Sequence, residues 1–174
     1  MHIIIDGYNL IRQCDSLRAI ERKGGLEQGR NALIRRAALY SQQKGHRITV
    51  VFDGWQGGSP AENRERMGGV DVIYSRLGEK ADDLIKRLAE KTGVELVVVT
   101  SDRSIADFVS RRGVSAVPSH IFSDLLEKTD ALCPKNGNEE KDVNDGTSRR
   151  GKQKGPSRRP SKKERLSYSR IRKL

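Results

Sequence analysis

Short apolar runs alternate along the chain with segments in which apolar residues recur at helical spacing. The runs are rich in Ile and Val and have the length of strands: residues 2–5, 48–52, 70–74, 95–100 and 114–117. Three of them are almost continuously apolar, which is typical of strands that are covered on both faces. Between the runs, apolar residues recur every three or four positions in four stripes: Leu26, Leu33, Ile34, Ala37 and Ala38; Ala81, Leu84, Ile85, Leu88 and Ala89; Ile105, Phe108 and Val109; Phe122, Leu125 and Leu126. This alternation predicts a three-layer α/β domain with a mainly parallel central sheet.

The residues between these elements indicate where helices begin and end. Gly45, Gly93 and Gly113 each follow a helical stripe, where a left-handed residue usually closes a helix. Ser119 is a candidate N-cap of the last helix. Residues 55–69 carry glycine pairs on both sides of a polar stretch that opens with a serine–proline pair. This arrangement predicts a short polar helix within a mobile flap.

The last quarter of the chain has a different composition. After residue 132 apolar residues almost disappear, so burial cannot offset the entropy of ordering the segment. Residues 149–174 hold 12 of the 34 Lys and Arg residues and one of the 23 Asp and Glu residues. Subtracting these leaves 22 of each sign before residue 149, so the net charge of +11 belongs to the tail. We predict a folded domain over residues 1–130 and a disordered basic tail over residues 131–174.

Several classes of protein are disfavoured by the composition. Cys14 and Cys133 are far apart and form no Cys-x-x-Cys pair, which argues against a disulfide framework or a zinc knuckle. The start of the chain lacks the pattern of a signal peptide, and no apolar run approaches the roughly 20 residues of a membrane span. No phosphate-binding glycine loop follows a strand, and no G-x-S-x-G elbow is present. A cytoplasmic protein without a membrane segment is expected.

Acidic residues lie at or near the points where the predicted strands end. Asp6, Asp53 and Asp102 follow apolar runs, and Asp82 and Asp83 begin the helix that follows the strand at residues 70–74. In a parallel sheet the carboxyl ends of the strands share one edge, so these side chains are expected to converge. Carboxylates that lie close together stay ionised only when a cation compensates them. Oxygen ligands without His or Cys favour Mg²⁺ or Mn²⁺, which can activate water for attack on a phosphodiester.

Each of these residues also has a purely structural interpretation. Asp82, Asp83 and Asp102 are acceptable helix caps or first-turn residues. Asp6 and Asp53 are each followed by glycine, as in a strand-ending turn or a hairpin. In that position the glycine after Asp6 is expected to allow a sharp change of direction. Because the pattern recurs at four places, a shared metal site is the favoured interpretation.

Four motifs, taken in order, resemble the NYN branch of the PIN-like nucleases, and most closely its YacP-like group. They are IDGYNLI, VVFDGW, EKADDLI and VVTSD. The resemblance runs from about residue 3 to residue 126. It implies a PIN-like α/β sandwich and a metal-dependent ribonuclease that acts on single-stranded RNA. Within the YacP-like group it implies an endoribonuclease that works on mRNA at the ribosome.

The family's acidic site can be placed on this sequence residue by residue. It corresponds to Asp6, Asp82 and Asp102, with Asn9 and Asp53 beside them as further catalytic candidates, and with Asp83 and Asp107 as looser matches. Asn9 lies one helical turn after Asp6 and is expected to bind a water or a scissile phosphate oxygen through its amide. The basic tail after Thr129 is expected to lie outside the family pattern.

The predicted function is therefore a metal-dependent endoribonuclease with Mg²⁺ or Mn²⁺ as cofactor. The cations of the tail would make sequence-independent contacts with RNA phosphates; they are Arg149, Arg150, Lys152, Lys154, Arg158, Arg159, Lys162, Lys163 and Arg165. A tail that only solubilises the protein is the structural interpretation. In the first long helix, Arg30, Arg35 and Arg36 are candidates for a second basic patch, but a solvated helix face is the favoured interpretation. Two other functions stay open: a non-catalytic RNA- or ribosome-binding protein, and a small-molecule phosphohydrolase that has no use for the tail.

Overall fold

The computed structural model describes residues 1–54, 62–91 and 95–132. Gly93, the first part of the predicted flap and the basic tail lie outside these described residues. Within the described ranges the chain forms six strands and five helices. In chain order they are β1 (His2–Asp6), α1 (Gly7–Gln13), α2 (Asp15–Lys44), β2 (Arg47–Phe52), β3 (Asn63–Met67), β4 (Val70–Tyr74), α3 (Ala81–Lys91), β5 (Leu96–Val99), α4 (Arg103–Arg111), β6 (Ser115–Val117) and α5 (Ser119–Leu132).

The six strands form a single sheet in the order β3-β4-β2-β1-β5-β6. All neighbouring strands are parallel except β3, which is antiparallel to β4. The first strand of the chain lies at the centre of the sheet, between β2 and β5. Parallel neighbours require long crossover connections, which the helices supply. The structure thus confirms the predicted α/β fold with a mainly parallel sheet.

Helices cover both faces of the sheet. One buried cluster joins β1, β2, β4 and β5 to α1, α2 and α5, and a second cluster joins the opposite face to α3 and α4. In β1 the side chains alternate between these layers, so that Ile3 and Ile5 enter the first cluster and Ile4 the second. All three isoleucines are fully buried, which explains why this strand is continuously apolar. No helix in the described ranges has both the length and the apolar character needed to cross a bilayer.

The predicted helix before Gly68 is wrong, because residues 63–67 form the edge strand β3. All five residues of β3 are exposed, so the strand has no apolar alternation by which sequence could identify it. Gly68 and Gly69 both have positive φ (58° and 89°) and connect β3 to β4 in a tight hairpin. Charged side chains on an exposed edge also hinder pairing with other chains. The second half of the predicted flap is therefore part of the sheet.

Helix α2 is longer than the apolar stripe that predicted it. It spans Asp15–Lys44 and is interrupted at Gly25, whose φ of 84° and ψ of 174° are not helical. Gly45 closes the helix in the left-handed conformation (φ 66°), as predicted. Gly113 also has a positive φ (76°) just after α4. Both residues use the freedom that only glycine has at such angles.

Candidate active site

The site begins at Asp6, the last residue of the central strand and also the N-cap of α1. Its Oδ1 accepts a hydrogen bond from the backbone N–H of Asn9 at 3.2 Å. The strand therefore passes directly into a helix, which excludes the hairpin interpretation. Gly7 has no positive φ, but a Cβ at this position would collide with the ring of Phe52. Glycine is thus required by the close approach of α1 to β2, and not by a positive φ at the point where the strand passes into the helix.

Asp6 carries a charge that the surrounding protein compensates poorly. The residue is 7% exposed, and burial raises the pKa of its carboxyl to about 6. The nearby carboxylates of Asp82 and Asp102 raise this pKa as well, while the hydrogen bonds from Asn9 and Thr100 lower it. In the described ranges no Lys, Arg or His forms an ion pair with Asp6. A cation at this edge would therefore favour the ionised form strongly.

The first turn of α3 contributes two further carboxylates. Asp82 is half-buried and Asp83 is exposed. Burial raises the pKa of Asp82, and the charges of Asp102 and Asp83 raise it further, whereas nearby lysines lower it. The mutual influence among Asp6, Asp82 and Asp102 shows that these three carboxylates lie within electrostatic range of one another. Their convergence on a shared metal site stays a prediction.

Asp102 follows β5, and two sets of hydrogen bonds fix its position. Its Oδ1 caps α4 by accepting hydrogen bonds from the backbone N–H groups of Ser104 (2.6 Å) and Ile105 (3.3 Å). Its own N–H donates to Oγ1 of Thr100 at 3.1 Å, and the Thr100 hydroxyl donates to Oδ2 of Asp6 at 3.3 Å. The capping interpretation of Asp102 is thus correct. Its Oδ2 has no hydrogen bond within the described residues and is the oxygen open to a ligand.

Asn9 joins three elements at the same edge. Its Oδ1 accepts hydrogen bonds from the backbone N–H of Ser101 at 3.0 Å and from the hydroxyl of Ser119 at 2.7 Å. Because a backbone N–H can only donate, the oxygen and nitrogen of the amide are unambiguous. The amide NH₂ has no protein acceptor among the described residues. Ser119 lies in the first turn of α5, and Pro118 accepts the first hydrogen bonds of the helix, so the prediction that Ser119 caps it is wrong.

Asp53 lies at the carboxyl end of β2, and its contacts run toward β4. The hydroxyl of Ser75 donates to Oδ1 of Asp53 at 3.3 Å and accepts the N–H of Gly54 at 3.0 Å. A Cβ on Gly54 would collide with the carbonyl oxygen of Ser75, so this corner is tightly packed. Burial raises the pKa of Tyr8, which lies two residues after Asp6 in α1, and the negative charge of Asp53 adds to this rise. Asp53 therefore borders the carboxylate group on the side of β4.

The remaining predicted residues lie elsewhere. Asp107 is exposed on α4, beyond the strand ends. The nine predicted RNA-binding cations of the tail are outside the described residues. The three arginines of α2 do not share a face: Arg36 is 12% exposed and pairs with Glu127 and Asp130 of α5, at 3.8 and 3.3 Å. The solvated face predicted for these arginines is wrong for Arg36.

The hydroxyl groups that hold the acidic residues at this edge of the sheet were not predicted from the sequence. Thr100 connects Asp6 with Asp102, Ser75 holds Asp53, and Ser119 holds Asn9. All three residues are at most 2% exposed. Ser75 directly follows a predicted strand and Thr100 is the last residue of another, so a search for hydroxyls near the acidic positions could have found them. Ser119 was noticed only as a cap.

The donor chemistry of this edge fits a hard divalent cation. The donors are carboxylate oxygens without His or Cys, and Asp6 has no cationic partner within the described ranges. In the same ranges, however, no group of three or more His, Cys, Asp and Glu side chains is arranged to hold a metal ion. Three carboxylates in electrostatic range are therefore present, while a closed set of ligands is not.

In this α/β fold, side chains that can bind a ligand lie beyond the carboxyl ends of neighbouring parallel strands. Open parallel sheets commonly bind their ligands in the crevice at that edge. The model of the YacP-like NYN domain family matches residues 3–173. The chain belongs to this family, and the NYN domain family is a nuclease superfamily. The match continues through the basic tail, so the expectation that the tail lies outside the family pattern is wrong.

Solved structures of one relative share this fold. The crystal structure of Rae1 (YacP) from Bacillus subtilis is 25% identical, covers 75% of this chain and 76% of its own, and has a TM-score of 0.63. A point mutant of the same protein is 24% identical, covers 75% of this chain and 77% of its own, and has a TM-score of 0.61. Among curated proteins the comparison finds no match.

Proposed function

We propose that the protein is a metal-dependent endoribonuclease that cuts single-stranded RNA. The observation that carries this proposal is Asp6, a buried carboxylate at the end of the central strand without a cationic partner in the described ranges. Burial of a charge is costly unless a counter-ion compensates it. Two further carboxylates within electrostatic range supply the rest of an anionic site. Membership of a nuclease superfamily supports the same reading.

Three of the carboxylates are the proposed metal ligands, and a fourth lies beside them. Asp6, Asp82 and Asp102 would hold Mg²⁺ or Mn²⁺, with the exposed Asp83 at the outer side of the group. When bound, the ion would supply an activated water and charge stabilisation at the scissile phosphate. Thr100 keeps the Asp6 and Asp102 segments in register through its two hydrogen bonds.

The amide of Asn9 and the carboxylate of Asp53 flank this group. Asn9 is fixed through its oxygen, so its NH₂ is presented as a donor for a phosphate oxygen or a water. Asp53 uses Oδ1 to accept from Ser75, and its other oxygen can orient a water. Residues 1–148 carry equal numbers of basic and acidic residues whereas the net positive charge lies in residues 149–174, so we assign the phosphate contacts that hold RNA to the basic tail.

An RNA cleavage assay tests the proposal. The full-length protein, the Asp6→Asn variant and an Asp124→Asn control are incubated with single-stranded RNA in Mn²⁺, in Mg²⁺ and in EDTA. Asp124 is an exposed carboxylate on α5, so the control makes the same chemical change away from the strand ends. We expect internal cleavage by the wild type and the control with metal, and no cleavage by Asp6→Asn or in EDTA. Equal cleavage by wild type and Asp6→Asn would overturn the proposal.

A non-catalytic RNA-binding protein is the second candidate, because no three acidic or histidine side chains of the described residues are arranged to hold a metal. It predicts RNA binding that Asp6→Asn leaves unchanged and no cleavage under any condition. The same gel, combined with a filter-binding measurement, separates the two functions. Association with ribosomes is a further part of the proposal, tested by cosedimentation of the full-length protein with ribosomes at low and high salt.

A further inference from the structure

Two tyrosines pack on the same phenylalanine near the proposed catalytic carboxylates. Tyr8 follows Asp6 by two residues in α1, and Tyr74 ends β4, the strand next to β2. Both rings pack on Phe52, whose side chain is fully buried at the end of β2. The ring centroids of Tyr8 and Phe52 are 5.1 Å apart in an edge-to-face arrangement, and those of Phe52 and Tyr74 are 5.7 Å apart and nearly parallel.

These tyrosines differ from the aromatic residues of the core. Tyr40 and Phe122 pair with each other at 5.2 Å and are fully buried. Tyr8 and Tyr74 are only half-buried, and neither hydroxyl has a hydrogen-bond partner within the described residues. A buried phenol usually finds a partner for its hydroxyl. These two rings instead pack on Phe52 and keep part of their surface exposed.

Charged groups of both signs surround the two rings. The guanidinium of Arg30 lies 5.7 Å from the ring centroid of Tyr74. Burial raises the pKa of both tyrosines; Arg30 opposes this rise, whereas the acidic neighbours of Tyr8 (Glu21 and Asp53) and of Tyr74 (Glu65 and Glu27) add to it. A patch with both signs of charge has little preference for a phosphate. It suits the flat, neutral face of a nucleobase, with cation–π support from the arginine.

We propose that Tyr8, Tyr74 and Arg30 form a subsite that stacks an unpaired base of the RNA beside the scissile phosphate. The sugar–phosphate chain would then cross the strand ends from this subsite toward Asp6 and Asp82. A base inside a duplex has both faces covered, so the subsite accepts single-stranded RNA. This inference rests on the proposed function for the identity of the ligand.

Binding of fluorescent RNA tests the subsite without requiring cleavage. The full-length Asp6→Asn protein is titrated, in EDTA and at about 0.3 M salt, against a single-stranded RNA octamer that contains 2-aminopurine. Salt at this level weakens phosphate contacts and leaves stacking largely intact. In this background Tyr8→Leu and Tyr74→Leu should each weaken binding about five- to hundredfold and reduce the stacking-induced quenching. Tyr8→Phe and Tyr74→Phe, which keep the rings, should stay within about twofold of the parent.

The matched control is Phe108→Leu. Phe108 is also half-buried and has an arginine, Arg112, 3.7 Å from its ring centroid, but it lies on α4 on the opposite face of the sheet. This variant should bind like the parent. Thermal unfolding of each variant shows whether the leucine substitutions disturb the fold.

Octamers with one abasic nucleotide probe the same contact from the side of the RNA and do not depend on folding. At the stacked position, removal of the base should weaken binding by the parent and should have no further effect on Tyr8→Leu. Tyrosine-to-leucine variants that bind like the parent would overturn the subsite. An equal loss of binding by these variants on intact and abasic octamers would also overturn it. If the wild type fails to cleave RNA and the stacking results hold, only the nuclease proposal fails. If the wild type cleaves RNA and the stacking results fail, only the subsite is rejected.

Discussion

Replacing Asp6 with asparagine should make the protein more stable at neutral pH while removing its activity. The buried carboxyl has a pKa of about 6 in the folded protein against 3.8 for an unperturbed group. Each pKa unit corresponds to about 1.36 kcal/mol, so ionised Asp6 costs the folded state about 3 kcal/mol at pH 7.5. Asparagine carries no charge and is an equally good N-cap. It disturbs the hydrogen bond from Thr100, worth about 1 kcal/mol, so a net gain of about 2 kcal/mol is expected.

The dependence on pH has a definite sign. The folded pKa lies above the unfolded one, so the folded state binds the proton more tightly and the wild type loses stability as pH rises from about 4 to about 6. Below this window both states are protonated and the cost vanishes; above it the cost is constant. The advantage of Asp6→Asn should therefore be largest at pH 7.5 and mostly gone at pH 4.5.

Urea unfolding of wild type and variant, in EDTA at both pH values, measures the difference directly. The control is Asp124→Asn, which should change the free energy of unfolding by less than about 0.5 kcal/mol. A gain of about 2 kcal/mol corresponds to roughly 4–8 °C in Tm for a domain of this size. If Asp6→Asn destabilises the protein equally at pH 4.5 and pH 7.5, the carboxylate has compensation that the structure does not show, and the argument for a cation site fails.

Three further predictions follow from the same edge of the sheet. Added Mn²⁺ should raise the Tm of the wild type and not of Asp6→Asn, with about 2.7 kcal/mol of stabilisation at a free concentration one hundred times Kd; equal shifts would mean that Mn²⁺ binds elsewhere. Gly7→Ala should lower the free energy of unfolding measured in urea by about 1–3 kcal/mol, because its methyl group meets the Phe52 ring. Gly24→Ala in α2 meets only the end of a flexible side chain, so it should leave this free energy unchanged or higher. Asn9→Ala should lower the free energy of unfolding by about 1–3 kcal/mol, because it leaves two donors without an acceptor. Asn9→Asp should keep most of the stability and lose RNA cleavage. An equal loss of stability in both variants would contradict the role given to the Asn9 oxygen.

The position of the acids could be predicted because it depends on local sequence. An apolar run that ends in aspartate places that residue at a strand end wherever the strand lies in the sheet. The parallel arrangement then puts all such ends on one edge. Asp6 and Asp102 were located in this way and Asp82 at the start of the helix that follows β4, and the structure brings the three into electrostatic range. Their role as metal ligands stays a prediction.

Other features depend on contacts between segments that are far apart in the chain. Strand β3 has no apolar period, and only its pairing with β4 makes it a strand. The requirement for Gly7 comes from a ring 45 residues away, and the partner of Asn9 is a hydroxyl 110 residues away. Local periodicity carries no information about such approaches.

By itself, the sequence determined the order of the parallel strands and of the helices that connect them, the continuous apolar character of the central strand and the placement of carboxylates near the strand ends. It did so because burial on one or both faces of an element imposes a period that can be read locally. The tertiary structure decided which strands are neighbours, which hydroxyls hold the acids, and that Tyr8 and Tyr74 meet on Phe52 beside them. These features arise only when helices α1 and α2 pack on the sheet, since close packing between distant segments selects the side chains that can fit there.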